Sequence, residues 1–302
     1  MTDGREQLLK PGIGAKSLDG TFARALESQR ADALIDDFLA AVFLRRGVTE
    51  GVLEPSVLDE DGRPLDPGSR NTSAWFVRAR HVGLRSWFGD RVIEEAVTSG
   101  VRQVVILAAG QDARAYRLIE EPDCVVFEVD QPEVTAFNSR ALAGLDARPR
   151  CERRPVSADL ASDWRGPLVA RGWQASRPTV WVIEGVLIYL PPDVREALFR
   201  DITALSAAGS YLSLDDAPLE ELRGVQRVLD APGAARDEHS PAMFDMRPRA
   251  ASAQLLQSLG WQAQAITADA LRTRHGLPGE SSGNPLASIL GRCHVVSARY
   301  AG

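Results

Sequence analysis

The pattern of apolar and polar positions predicts an alternation of short buried strands and amphipathic helices. Several short apolar runs contain many β-branched side chains and show no polar alternation. Runs of this kind are typical of strands that are buried on both faces, as in a parallel sheet. The predicted strands, in chain order, are residues 104–109, 125–129, 153–157, 178–183, 210–214, 262–266 and 294–299. The expected fold is therefore α/β, with a mostly parallel sheet of about seven strands.

Apolar residues at helical spacing predict helices before and between the strands. Before the sheet, a helix is expected at 21–46 with Gly47 as its stop, and another at 71–88 after a loop rich in Pro, Gly and Asp. Asp90 is expected to cap a further short helix that ends near Gly100. Later helices are predicted at 131–142, 193–204 and 250–260.

The helices that precede the sheet are expected to cover the edge at which ligands bind. Residues 1–98 would form this helical cap, and residues 99–302 would form a Rossmann-like core. Residues 217–249 are an insertion in that core, and they contain Pro, Arg and Met residues that are expected to shape a substrate pocket. All of these parts are expected to form one integrated domain.

The first two strands carry the pattern of a nucleotide-binding site. The first strand ends in the small residues Ala108, Ala109 and Gly110, and Asp112 is placed to cap a helix at 113–118. The second strand ends at Asp130, 20 positions after Gly110. Small residues allow the backbone to approach a ligand closely, and the acid can accept hydrogen bonds from both ribose hydroxyls. Ordinary buried strands, with Asp130 as a helix cap, are the alternative.

The glycine spacing limits which kind of nucleotide the site is expected to bind. A dinucleotide fingerprint would read G-x-G-x-x-G, and only Gly110 is a glycine here. This argues against NAD and FAD and favours a nucleoside without phosphates.

Five motifs in order resemble those of one family. The chain is similar to bacterial S-adenosylmethionine-dependent methyltransferases related to leucine carboxyl methyltransferase and to polyketide O-methyltransferases of the tetracenomycin type, over roughly residues 21–299. The motifs are A-R-A-L-E-S-Q-R with R-A-R, then V-V-I-L-A-A-G-Q-D-A-R-A-Y-R-L, F-E-V-D-Q-P-E-V, S-A-D-L, and W-V-I-E-G-V-L-I-Y-L-P-P. The resemblance implies a class I methyltransferase fold, S-adenosyl-L-methionine (SAM) as cofactor and S-adenosyl-L-homocysteine (SAH) as product.

The same resemblance implies the roles of individual residues. Arg78 would pair with the methionyl carboxylate of SAM, which a guanidinium can grip through two hydrogen bonds. Asp159 would read the adenine amino group beside Leu160, and Glu184 would lie near the sulfonium and the methionyl amino group. The implied cofactor-binding set is Arg78, Ala108, Ala109, Gly110, Asp112, Asp130, Gln131, Asp159, Leu160, Glu184 and Gly185.

Structural roles remain open for three of these residues. Arg78 could be a solvated helix charge, and Asp159 could cap a short helix that runs through Trp164. Glu184 could pair with an arginine of the cap.

Composition argues against a nucleic-acid-binding protein, a disulfide-rich protein and a membrane-spanning protein. The chain has 302 residues, a net charge of −6 and a pI near 5.4, which argues against a nucleic-acid partner. The three cysteines have neither zinc spacing nor a disulfide pattern, which suits a reducing cytoplasm. No apolar run reaches the roughly 20 residues of a membrane span, and the N-terminus lacks a signal sequence. A soluble, cytoplasmic protein without a metal is expected, and a homodimer is one open oligomeric state.

The expected reaction is methyl transfer to an oxygen of a small molecule, a carboxylate or a hydroxyl, such as that of a secondary metabolite. A carboxylate is already ionised at neutral pH, whereas a phenol with a pKa near 10 would need a base. The chain has only four histidines, and His239 in the insertion is the best base candidate, with Tyr189 as a second catalytic candidate. The scarcity of bases leans towards a carboxylate acceptor.

Two departures from the family pattern support alternatives. The family usually has glycine where Ala108 stands and threonine where Ala113 stands, both close to the expected cofactor. A non-catalytic protein that binds SAM or SAH is therefore the second hypothesis. A nicotinamide-dependent oxidoreductase is the third, and the missing glycines disfavour it.

Overall fold

A seven-stranded sheet runs through the computed structural model, which describes residues 15–59, 63–64, 72–143, 145, 147–229, 244–279 and 283–302. The strands are β1 (Gln103–Leu107), β2 (Val125–Asp130), β3 (Glu152–Ser157), β4 (Thr179–Ile183), β5 (Tyr211–Asp216), β6 (Trp261–Thr267) and β7 (His294–Tyr300). Their order in the sheet is β3-β2-β1-β4-β5-β7-β6. Strand β7 runs in the opposite direction to the other six and pairs antiparallel with β5 and β6. The predicted fold class and strand number are confirmed.

Helices flank both faces of this sheet. They are α1 (Ala15–Ser28), α2 (Ala40–Thr49), α3 (Thr72–Thr98), α4 (Arg114–Arg117), α5 (Pro132–Leu142), α6 (Arg165–Ala170), α7 (Pro192–Leu205), α8 (Leu219–Leu229), α9 (Ser252–Ser258), α10 (Ala268–His275) and α11 (Pro285–Arg292). A 3-10 turn, Pro55–Val57, lies in the loop between α2 and α3. No helix in the described ranges has the length and apolar character needed to cross a membrane.

The two faces of the sheet bury alternate residues of each strand. On β1, Val104 and Ile106 belong to the core under α1, α2, α3 and α5, whereas Val105 and Leu107 belong to the core under α6, α7 and α9. This alternation follows from the period of two in a strand. Because every side chain of β1 is buried, the run reads as continuously apolar in the sequence.

The register brings the carboxyl ends of the parallel strands to one edge. Leu107 of β1 lies beside Val129 of β2 and Ile183 of β4, and Asp130 lies beside Ser157 of β3. Residues that follow these strands therefore gather at a single edge, where ligands bind in open α/β sheets.

The long helix predicted at 21–46 is wrong, because the chain leaves the helix after Ser28 and re-enters it at Ala40. Side-chain carboxylates accept hydrogen bonds from backbone amides there. Glu27 Oε1 accepts from Leu34 N, and Asp37 Oδ1 accepts from Ala40 N. Local bonds of this kind compete with helical bonds.

Gly47 does not stop a helix, as predicted, but lies inside α2. A β-carbon at this position would come within 2.9 Å of Leu53 Cδ1, so glycine permits close packing there.

The predicted cap at Asp90 is also wrong, because α3 continues through this residue. The Asp90 side chain is buried, and its two oxygens bind Arg114 Nε at 2.8 Å and Arg117 Nη1 at 2.6 Å. Asp90 therefore fixes α3 to α4 instead of starting a helix. His239 and the rest of residues 230–243 lie outside the described residues, as do residues 1–14.

We predict that Asp90→Ala lowers the free energy of unfolding by about 3–5 kcal/mol, because it takes the carboxylate partner from the largely buried Arg117 and one of three carboxylates from the buried Arg114. Asp123→Ala is the matched control, since Asp123 is 72% exposed beside Arg102 and should contribute less than about 1 kcal/mol. Chemical denaturation of both variants measures the difference. Equal stabilities for the two variants would contradict the assignment.

Candidate active site

A cavity of about 500 Å³ opens at the carboxyl edge of the sheet. Its volume lies within the roughly 300–1,000 Å³ of small-molecule sites. Helices α1 and α3 contribute Ser17, Gly20, Arg24 and Arg85 to its wall, so the cap lies at this edge. The predicted residues that line the cavity are Ala108, Ala109, Gly110, Asp112, Asp130, Gln131, Asp159, Leu160, Glu184, Gly185 and Tyr189.

The loop after β1 turns sharply. Ala108 and Gly110 both have positive φ, 53° and 54°, and Ala108 is the one non-glycine residue with this conformation in the described chain. Asn138 Nδ2 donates to the Gly110 carbonyl at 2.6 Å, which holds the turn against α5. A left-handed alanine costs roughly 1–2 kcal/mol because its Cβ crowds the following carbonyl. The departure from glycine noted in the sequence is therefore a point of strain.

Asp130 joins this loop to the end of β2. Its carboxylate oxygens accept from Gly110 N at 2.6 Å and from Gln131 N at 2.7 Å. Burial raises the pKa of Asp130, while the two amide bonds oppose that rise. A carboxylate has about four acceptor positions, so these amides leave capacity for hydroxyl groups of a ligand.

Asp159 and Leu160 line the cavity beyond β3. Asp159 Oδ1 accepts from Ala161 N at 2.9 Å in a short turn, and α6 begins later, at Arg165. The helix through Trp164 that was considered for Asp159 is therefore absent, and the side chain stabilises a turn beside the cavity.

Glu184, at the end of β4, is bound by the buried guanidinium of Arg114. Arg114 reaches Glu184 Oε1 at 2.6 Å, Asp112 Oδ2 at 2.6 Å and Asp90 Oδ1 at 2.8 Å. The considered partner of Glu184 was an arginine of the cap, and the observed one comes from α4 instead. Ser86 of the cap helix α3 adds a longer hydrogen bond, at 3.4 Å.

The charges around Arg114 sum to one negative charge. Asp90, Asp112 and Glu184 carry three negative charges, and Arg114 and Arg117 carry two positive ones. Burial raises the pKa of Glu184, and Arg114 opposes that rise. Burial would also raise the pKa of Asp112, but Arg114 outweighs it and the pKa is lowered. A cation in this part of the cavity would balance the excess charge.

Arg78 does not line the cavity. Its Nη2 donates to Asp19 Oδ2 at 2.6 Å, and its guanidinium lies 5.0 Å from the ring centre of Trp75. Its predicted contact with the cofactor carboxylate therefore stays a prediction.

Three other arginines line the cavity, and the sequence analysis did not assign them roles: Arg24, Arg85 and Arg114. Arg85 lies seven residues after Arg78, which is two turns along the same helix face, and this spacing was the available signal. Arg24 belongs to the quoted A-R-A-L-E-S-Q-R motif. Arg114 belongs to the quoted A-A-G-Q-D-A-R motif.

Tyr189 forms the far wall of the cavity and stacks on Phe244, with ring centres 5.9 Å apart. Burial raises the pKa of its phenol, and Arg78 opposes that rise. The hydroxyl is therefore protonated at neutral pH and can donate a hydrogen bond there, and the catalytic role of Tyr189 stays a prediction. No histidine, cysteine or lysine occurs among the lining residues that the structure describes.

The residues present fit SAM. A partly buried acid at the end of β2 suits a ribose, and the loop after β1 has one glycine where a dinucleotide fingerprint has three. The excess negative charge beside Glu184 suits a sulfonium.

The fold, together with the family match and the relatives described next, defines a class I methyltransferase that uses SAM. The chain belongs to the leucine carboxyl methyltransferase family, whose sequence profile matches residues 17–203. The family resemblance seen in the motifs is confirmed.

Relatives from two bacteria cover nearly the whole chain. A protein of Mycolicibacterium smegmatis, provisionally named a SAM-dependent methyltransferase, is 37% identical over 292 residues, which span 93% of this chain and 94% of that protein. A Streptomyces coelicolor protein with the same provisional name is 37% identical over 289 residues, which span 93% of this chain and 91% of that protein. These relatives are named as methyltransferases and not as oxidoreductases.

Two solved structures share the fold. A DUF574 family protein from Streptomyces avermitilis has a TM-score of 0.54 at 18% identity, with coverage of 75% of this chain and 86% of that chain. A protein from Thermobifida fusca that is provisionally named a methyltransferase has a TM-score of 0.51 at 17% identity, with coverage of 96% of this chain and 99% of that chain. Similarity at these identities concerns the fold alone.

We predict that Asp130→Ala weakens binding of SAM more than tenfold, about 1.4 kcal/mol or more, because the ribose loses its acceptor. Glu133→Ala removes an equal charge from an exposed position three residues later and should leave the affinity unchanged. Calorimetric titration measures both. Identical titration curves for Asp130→Ala and the unmodified protein would refute the placement of the ribose.

We also predict that Ala108→Gly tightens the SAM complex, because it removes a β-carbon from the cavity wall. The variant should be more stable by less than about 1.5 kcal/mol, since relief of the left-handed strain exceeds the added entropy of the unfolded chain. Ala109→Gly is the control, because Ala109 has no positive φ and should gain neither affinity nor stability. A weaker complex for Ala108→Gly would contradict this account.

Proposed function

We propose that this protein methylates a carboxylate oxygen of a small organic acid. The observation that carries the proposal is the lining of the cavity. The described lining residues are arginines, carboxylates, apolar residues, the polar Ser17 and Gln131, and one phenol, Tyr189, whose pKa is raised; none of them is a histidine, cysteine or lysine. A carboxylate acceptor is ionised at neutral pH and needs no base from the protein. The family resemblance to polyketide O-methyltransferases favours a secondary metabolite as the acid.

The cofactor would supply a methyl group bonded to a cationic sulfur, so that an acceptor oxygen forms the new C–O bond while the C–S electron pair returns to sulfur. The protein contributes position and charge. Asp130 would hold the ribose, and Asp159 with the backbone of Leu160 would face the adenine. Glu184, kept in place by Arg114, would lie beside the positive charge. Fixing reactants in line at near contact supplies much of the rate enhancement in such displacements.

Apolar and aromatic side chains line one end of the cavity. Val186, Leu190 and Tyr189 line the end beyond Glu184. The ring of Tyr189 stacks on that of Phe244, the residue that follows 230–243 in the chain. A small acid with an apolar body fits this lining.

We predict that matched acids are methylated and their neutral counterparts are not, with benzoate against benzyl alcohol and octanoate against octanol as pairs. Transfer of label from methyl-labelled SAM measures both members of each pair. Because acids have a pKa near 4 and stay ionised, ionisation of the acid should add no rise in its rate between pH 6 and 9, whereas ionisation of phenol, used as a third kind of acceptor, would raise the rate of a phenol-methylating enzyme.

Comparing acceptors on one enzyme preparation cancels any titration of the protein itself. A hydroxyl acceptor would give the opposite result. Turnover confined to phenols, with a rate that climbs towards pH 10, would overturn the proposal.

A further inference from the structure

We propose that Arg85 binds the carboxylate of the acceptor, an inference that rests on the proposed function. Arg85 lies on α3 and lines the cavity where the Glu184–Gly185 segment meets Tyr189. Its side chain is 16% exposed, so the guanidinium is largely enclosed but reachable from the cavity.

The main chain at Gly185 is built around this guanidinium. Gly185 has a φ of 69°, and a β-carbon there would lie 2.8 Å from Arg85 Nη1 and 2.9 Å from Nη2. A β-carbon at this position would require the Arg85 guanidinium to shift. The guanidinium therefore lies against the main chain of Gly185, the residue that follows Glu184.

Arg85 keeps donors that the protein does not use. Its closest carboxylate contact is Asp215 Oδ2, at a long 3.5 Å, and its buried Nε has no hydrogen-bond partner within the described chain. Arg114, by contrast, binds three carboxylates at 2.6–2.8 Å. A guanidinium has five N–H donors in a planar fork that suits a carboxylate. Arg85 can thus accept an anion without losing a strong internal bond.

Position along the sheet separates Arg85 from the expected cofactor site. Asp130 lies at the end of β2 and Glu184 at the end of β4, whereas Arg85 lies over the gap between β4 and β5. This gap is marked by the bond from Gly185 N to Asp215 Oδ1, at 2.6 Å. Three strand spacings of about 4.8 Å separate β2 from β5, roughly 14 Å in all. Arg85 is therefore at the acceptor end of the cavity.

The charges at this end are balanced until an acceptor enters. Arg78 pairs with Asp19, and Arg85 faces Asp215, so the arginines near Tyr189 are matched by two acids. The positive charge of a bound cofactor would be balanced by the excess negative charge beside Glu184. Attraction for an anionic acceptor at this end would therefore come from the unused donors of Arg85, and not from a net positive charge.

The test compares carboxylates with isosteric amides in the SAH complex of the full chain, using benzoate against benzamide and octanoate against octanamide. Calorimetry of each probe, with SAH saturating, gives the affinities. We expect each carboxylate to bind at least tenfold more tightly than its amide. Arg85→Met should reduce that preference to less than twofold while leaving the affinity for SAH within threefold.

Two further variants make the result specific. Arg91→Met is the matched control, because Arg91 is an exposed arginine of the same helix, and it should keep the full preference. Arg85→Lys should keep part of the preference, since it retains the charge and loses the fork. Thermal unfolding of each variant, compared with the unmodified protein, shows that the fold persists, and Arg85→Lys provides the answer if Arg85→Met does not fold.

A parallel loss of SAH affinity in Arg85→Met would overturn the proposal and assign Arg85 to the cofactor. The proposal would also be overturned if Arg85→Met kept the preference for carboxylates over amides. It would be overturned as well if the unmodified protein showed no such preference. These binding results are independent of turnover. Failure of the proposed function would appear instead as absence of acid methylation.

Discussion

The buried guanidinium of Arg114 is the contact on which the site depends. It joins three parts of the chain that are distant in sequence: Asp90 on α3, Asp112 in the loop after β1, and Glu184 at the end of β4. Three carboxylates so close together would repel one another without a cation between them. Arg114 therefore allows the acids to converge, and the one charge left unbalanced gives the cavity its affinity for a cation.

The positions of residues at the strand ends were predictable, because parallel strands all end at the same edge of the sheet. Once the strands are placed, Ala108, Asp130, Asp159 and Glu184 must lie at one edge, since each follows a strand that runs in the same direction. The residues of the helical cap were less predictable. Asp90 looks like a helix cap in the sequence, and its partners 24 and 27 residues later decide its role.

The predicted helix at 21–46 failed for a related reason. Its apolar spacing is helical, but Ser28 and Asp37 form bonds to backbone amides that end one helix and begin the next. Such bonds depend on where the side chains lie in the folded protein. Periodicity alone does not report them.

The alanine at position 108 shows how the structure tolerates a locally unfavourable residue. The turn is fixed on both sides of Gly110, by the Asp130 carboxylate on its amide and by Asn138 on its carbonyl. These bonds hold the main chain two residues after Ala108, whose own φ is 53°. The strain is thus stored beside the cofactor site, where a narrower cavity affects binding more than folding.

Under the proposed function, charge also makes the cavity hold the reactants differently from the products. Glu184 favours a cationic cofactor, and Arg85 favours an anionic acceptor, so each reactant is attracted by a different group. Methyl transfer removes the positive charge of one and the negative charge of the other in the same step. Both products are then uncharged at the reacting atoms, and the attractions that held the reactants no longer act on them. An arrangement of this kind binds reactants more tightly than products, which favours release after each turnover.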